Sequence, residues 1–209
     1  MSELLPFTQA QFLEIFRQYN EGAGIGQSLI LMMGIVGLSF AFWDNRVAGR
    51  VVNASLGVLW LWMALVYFLI YFLRLSSSAP LFAVLFAGEA AMFLRAAVRD
   101  TGLRYRFSNS ILGWLGALVI VYSVAVYPAL GFVFGHYYPA APTFGAPSPT
   151  VLFTLGLLMW STASWSMIAV PVLASLVGAG VAYALHIPQD YALALAALLL
   201  IALPRQRLQ

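Results

Sequence analysis

The chain has 209 residues, 63% of them hydrophobic and only 8% charged, with a net charge of +3 and a mean hydropathy of +0.91. Soluble domains carry about 25% charged residues, and a chain of this composition cannot hide its apolar surface from water, so a water-soluble fold is excluded. The ten basic residues are all arginine and are scattered at segment ends, which argues against a nucleic-acid partner, and the absence of cysteine removes disulfides, thiolate metal sites and cysteine nucleophiles.

The start, MSELLPFTQAQFLEIFRQYNE, lacks a basic stretch followed by an apolar one and is not read as a cleavable signal. Thr8 and Gln11 have the spacing of a capping box. Phe12, Ile15, Phe16 and Tyr19 then recur at helical spacing, which predicts a short amphipathic helix within residues 1–24, lying in the membrane interface or docked on a partner.

Seven apolar segments follow, at Ile25–Trp43, Val51–Leu73, Ala79–Val98, Ser110–Phe134, Thr150–Ala163, Trp165–Leu185 and Tyr191–Leu203. A crossing takes about 20 residues, so the fifth and seventh are short and a five-crossing arrangement is the competing count. Seven crossings with the N-terminus outside put Arg46, Arg50, Arg95, Arg99, Arg104, Arg106, Arg205 and Arg207 inside and only Arg17 and Arg74 outside, the bias of the positive-inside rule. Glu3, Glu14 and Glu21 leave little positive charge to oppose export of the leading tail. The expected fold is therefore all-α: a single polytopic bundle over residues 25–209, C-terminus inside, with a proline-rich outer loop at 135–149.

Helices in lipid associate through small residues. Ala174, Gly178 and Ala182 form such a stripe on the sixth segment, Gly22 and Gly26 flank the start of the first, and Gly113 and Gly116 open the fourth. Trp43, Trp114 and Trp165 fall at expected boundaries, whereas Trp60 and Trp62 sit at mid-depth and are read as packing residues. Asn53-Ala54-Ser55 matches a glycosylation acceptor only by chance, at the inner boundary.

Glu89 lies in the middle of the third segment, where a carboxylate costs about 2.5–3.5 kcal/mol on insertion scales and commonly marks a functional site. Tyr122 and Ser123 of the fourth segment and Ser175 of the sixth are equally deep, with Tyr67 and Tyr71 toward the outer half of the second. Together they would line a cavity with donors for Glu89, while Arg95 snorkels inward. The outer loop GHYYPAAPTFGAPSPT has Pro139, Pro142, Pro147 and Pro149, which predict a stiff segment. Its Tyr137, Tyr138 and Phe144 would fold it over the bundle. His136, Thr143 and Ser148 are its polar ligand-binding candidates, and the helix starting at Pro149 and Thr150 would aim its positive dipole end at the loop.

His136 and His186 make no metal pattern, Ser148 with His136 lacks a third orienting group, and Asp190 is read as the cap of the seventh segment. Walker, dinucleotide-binding, GxSxG and HExxH motifs are all missing, so no cofactor is expected and catalysis is disfavoured.

The stretches LLPFTQAQFLEIFRQYNE, WLWMALVYFLIYF, YPALGFVFGHYYPAAPTFGAPSPTVLFTLGLL and IPQD carry a resemblance to a family of uncharacterised bacterial multi-pass membrane proteins with a GHxYPxxPTFGxPxPT loop. The resemblance implies a multi-pass membrane protein and brings no activity or ligand with it; the expected location is the bacterial inner membrane. Seven crossings, an outside N-terminus and 209 residues give an architectural likeness to three-plus-one-plus-three transporters, to which Pro188-Gln189 is superficially similar, but the first half has no matching dipeptide and segments one to three show no repeat in five to seven. The expected function is a transporter or channel for a small solute or ion, gated by a protonatable Glu89. The alternative is a non-catalytic subunit or assembly factor that contacts a partner or a second copy through its small-residue stripes and its amphipathic N-terminal helix.

Overall fold

Helix α1 (Gln9–Gly22) starts at the anticipated capping box: Thr8 Oγ1 accepts from the Gln11 amide and Gln11 Oε1 from the Thr8 amide, at 3.3 and 2.9 Å. The computed structural model describes residues 5–99 and 101–203, so Glu3, Arg205 and Arg207 of the charge argument lie outside the described residues. The apolar face of α1 turns onto the bundle rather than outward: Phe12, Ile15, Phe16 and Tyr19 are buried, with Phe16 and Tyr19 stacked on or edged against Tyr67.

Among the described residues the chain is all-helical, with no strand, and each of the seven apolar segments contains a helix. After α2 (Ile25–Phe40), α3 (Arg46–Trp62) runs on through a π-helical stretch, Met63–Tyr71, and a final turn to Arg74. Then come α4 (Ala79–Val98) and α5 (Ile111–Val121), the latter continued by a π-helical Tyr122–Val126 into α6 (Tyr127–Val133). The last three are α7 (Pro147–Met159), α8 (Trp165–Leu185) and α9 (Tyr191–Ala202). Four continuous helical stretches, Arg46–Arg74, Ala79–Val98, Ile111–Val133 and Trp165–Leu185, are long and apolar enough to cross a membrane. Helices α1 and α2 meet that test only as a pair bent by 92°, and α7 and α9 are too short. Outward-facing Leu81, Val84, Leu118, Val121, Leu195 and Leu198 coat the bundle with apolar side chains, as lipid contact requires.

The short α7 is the centre of the fold. From Ser148 to Met159 every residue is buried, and α5, α8 and α9 pack around it. Its 13 residues rise only about 20 Å. Small residues let α5 and α7 approach closely: a Cβ on Gly156 would lie 2.6 Å from Ile120 Cγ1 and 2.9 Å from Gly116 O. A Cβ on Gly116 would reciprocally lie 2.8 Å from Gly156 O, so the two backbones touch where the small-residue reading places a contact for Gly116. Gly22 and Gly26 serve differently, making room for the Tyr71 and Trp62 rings rather than for another backbone. Trp60 is fully buried, donating to Thr154 Oγ1 at 3.1 Å, and Trp62 donates to Tyr19 Oη at 2.8 Å; both are packing residues as expected.

The bundle has two distinct ends. At one, Arg50 donates to the Ala97 carbonyl, Arg106 approaches Asp44 at 3.5 Å, and backbone bonds join Arg106 to Trp160 and Thr162 to Arg104. The exposed Trp43, Trp114 and Trp165 sit at this same end. At the other end α1, the 135–146 loop and the Ile187–Asp190 connection converge. There Gln9 reaches the His186 carbonyl, and Asn20 Nδ2 bonds the carbonyls of Pro139 and Ala141 at 2.6 and 2.7 Å.

Candidate functional site

The expected ring of donors around Glu89 does not form. Glu89 is fully buried in α4, yet neither carboxyl oxygen has a hydrogen-bond partner. Ser123 Oγ donates instead to the Ile120 carbonyl of its own helix at 2.7 Å, and Ser175 Oγ, also buried, has no partner. Mid-depth position fixes height along the bundle, but facing depends on helix phase, which the π-helical stretch carrying Tyr122 and Ser123 alters by lodging an extra residue per turn. The side chain placed within electrostatic reach of Glu89 is Tyr105, which folds in from the α4–α5 connection and donates to Asn53 Oδ1 at 2.7 Å.

The polar groups gather instead at the α1 end. Asp190 was expected to cap α9, and it does occupy the N-cap position, but its side chain makes no capping bond. Its carboxylate, almost fully buried, accepts from Tyr127 Oη on one oxygen and from Ser148 Oγ at 2.8 Å on the other. Ser148 stands in the first turn of α7, so the anion that meets this positive dipole end is the protein's own aspartate. Burial pushes the Asp190 carboxyl up to about 6, while the Tyr127 and Ser148 hydroxyls pull the other way.

Neighbouring residues extend the cluster. Tyr122 Oη donates to the Gln189 carbonyl at 2.7 Å, and Gln189 Nε2 lies 2.8 Å from His136 Nδ1. Burial lowers the His136 titration below its ordinary value, with the Gln189 contact opposing it. Gln189 Oε1 is buried without a partner. The π-helical turn at Tyr122–Val126 changes the phase between Tyr122 and Tyr127, whose hydroxyls both reach this cluster, and the sequence spacing alone does not reveal that.

Beside Asp190 and Ser148 opens a cavity of about 90 Å³. Phe12 and Phe16 of α1, Tyr67, Phe68 and Phe72 of the π-helical stretch and its following turn, and Phe82 and Phe86 of α4 form aromatic walls. Ala174, Val177, Gly178 and Val181 of α8 complete it. The small-residue stripe of α8 thus has a double role: Gly178 lets α9 approach through Leu193, and with Ala174 it leaves room for the cavity.

Of the eight candidate residues, Tyr67 and Ser148 line this cavity, and Tyr122 and His136 stand behind it on Gln189. Thr143 belongs to a separate pin: it donates to Asn20 Oδ1 at 2.7 Å and accepts from Gln27 at 2.6 Å, fixing the proline-rich loop to α1 and α2. Gly145 completes that turn at φ +96°, a conformation other residues resist, with the Tyr19 hydroxyl 2.7 Å from where a Cβ would lie. Only Phe144 of the loop aromatics folds inward, against Phe153; Tyr137 and Tyr138 point out. Glu89, Ser123 and Ser175 stand apart from the cavity lining. Asp190, Tyr127, Gln189 and Asn20 were not among the sequence candidates; the available signal was one acid at the start of the apolar 12-residue α9, which a capping role explained equally well.

Among the described residues no group of three or more His, Asp or Glu side chains could hold a metal ion. A family of unknown function (DUF6064) matches residues 9–208. No curated protein and no solved structure matches the chain.

Proposed function

The chain belongs to the DUF6064 family, and from that premise we propose that it is a seven-crossing protein of the cell membrane that binds a small solute at its outer end and moves it in company with a proton. The observation that carries this reading is the Asp190 carboxylate, buried and held by Tyr127 and Ser148 at the edge of a cavity. A buried acid with organised donors beside open space is an arrangement that binding sites use and packing does not need. The N-terminus-out orientation is supported by the arginines at the opposite end, including Arg50, Arg99 and Arg106. In that orientation α7 and α9 cross by being shielded within the bundle or by thinning the bilayer.

Glu89 enters as the second protonatable group. An ionised carboxylate without a donor is costly at such depth, so a proton, or a solute passing through, is the partner this side chain calls for.

Two measurements test the reading. The chain has no cysteine, so single cysteines at Tyr138 and Arg106 report sidedness: a membrane-impermeant maleimide should label the first and not the second in intact cells, and the reverse pattern would overturn the orientation. In proteoliposomes with a trapped pH dye, gradients of small ammonium, carboxylate and sugar solutes should drive proton movement for one class only. Glu89→Gln should abolish that movement and Asp190→Asn should raise the half-saturating concentration at least tenfold. Movement unchanged in Glu89→Gln would remove Glu89 from the mechanism.

A further inference from the structure

We infer that the cavity beside Asp190 takes a small organic ammonium ion, its cationic head against the carboxylate and its carbon substituents among the aromatic rings. This deepens the proposal above and rests on its placing the solute site at this end.

Charge comes first. Asp190 is the one ionisable acid on the cavity lining, and no Arg or His lines it. Tyr127 and Ser148 satisfy one lone pair on each carboxylate oxygen, and a carboxylate has about four such positions, leaving acceptor capacity for an N–H or a close cation. A buried charge of one sign without an internal partner favours a counter-ion.

The walls then decide which cation. An inorganic ion sheds its water only for several oxygen ligands, typically six or more for Ca²⁺. The lining offers one carboxylate, the Ser148 hydroxyl and the Tyr67 phenol. Phe12, Phe16, Phe68 and Phe72 instead present π-systems, which attract a poorly hydrated ammonium and repel an anion. Rings around a carboxylate are thus chemistry for an alkylated or primary amine in its protonated form.

Size and access agree. One water needs about 10–15 Å³ of such space, so a cavity of about 90 Å³ admits a small molecule and not a lipid. Val177 is exposed and Ala174, Gly178 and Phe82 are partly exposed, so the wall between α4 and α8 is the thin one, and it faces out of the bundle. A guest with apolar substituents tolerates entry through such a wall.

The test uses the full chain in detergent, with tetramethylammonium as the probe, tert-butanol as its neutral counterpart of similar size and acetate as the anion, read by calorimetry and thermal shift. Saturable binding of tetramethylammonium is expected, weakened at least tenfold in Asp190→Asn and several-fold in Phe16→Leu, with no saturable binding of the other two. Val177→Phe fills the cavity from its exposed wall without touching the buried network; it should fold normally and lose binding, which keeps the test decisive should Asp190→Asn misfold. Equal binding of tert-butanol, or tetramethylammonium binding that survives Val177→Phe, overturns the inference. Acetate or tert-butanol binding in an Asp190-dependent way, with tetramethylammonium silent, overturns the ammonium chemistry and leaves the site standing. Silence of every solute in both the binding and the flux experiments overturns both.

Discussion

Replacing Asp190 by asparagine should flatten the pH dependence of folding stability in a window that the structure defines. The carboxyl titrates at about 6 in the folded protein and at the ordinary 3.8 when exposed. Between those values the folded state holds the proton and the unfolded state does not, so stability falls as pH rises through the window and levels off above it. At about 1.36 kcal/mol per pH unit of difference, the contribution present below pH 3.8 and gone above pH 6 is about 3 kcal/mol. For a chain of this length that corresponds to a melting temperature lower by roughly 6–12 °C at pH 7 than at pH 4, all else equal. Thermal unfolding of the detergent-solubilised protein across pH 4–8 measures it, with the difference between wild type and Asp190→Asn cancelling the contributions of Glu89, His136 and other groups. Tyr127→Phe removes a donor that favours the charged form, so it should carry the falling limb to higher pH. Parallel curves for wild type and Asp190→Asn would show that the Tyr127–Asp190–Ser148 arrangement does not govern this titration, and the reasoning from burial would fail.

Three other substitutions probe the scaffold. Gly156→Ala drives a methyl to within 2.6 Å of Ile120 and 2.9 Å of the Gly116 carbonyl; overpacking of this kind costs about 1–3 kcal/mol, read as a lowered melting temperature, and an unchanged value would mean α5 and α7 can part freely. Asn20→Ala strands the Pro139 and Ala141 carbonyls and the Gln27 and Thr143 donors, costing about 1–3 kcal/mol, and should speed proteolytic cleavage within residues 135–146 several-fold. Glu89→Met, which removes two buried oxygens without partners, should raise stability by about 1–3 kcal/mol while ending solute-coupled proton movement; a destabilised variant would indicate that Glu89 is partnered in the folded protein.

Composition and period settled the class of this fold because they act locally. An apolar run long enough to span must be helical, since lipid offers no partner for a bare backbone, and every one of the seven runs contains a helix. The Thr8–Gln11 cap, the amphipathic face of α1 and the burial of Trp60 were legible for the same reason: each depends on residues close in sequence or on simple depth. What α1 covers was not legible, because an apolar stripe fits lipid and an aromatic wall of the chain's own bundle equally well.

The site belongs to tertiary structure. Glu89 stood out because its cost depends on depth, which can be counted along a chain, and it proved to be an acid without donors. Asp190 looked like a helix cap, and only folding could reveal that Tyr127, 63 residues away, and Ser148, 42 residues away, would meet on its carboxylate. Helix phase bears on that meeting: the π-helical turn at Tyr122–Val126 changes the direction in which Tyr127 faces, and the glycine contact between α5 and α7 sets how closely their helices approach. Height in the bundle follows from counting residues, whereas the direction a side chain faces follows from how the helices wind and touch.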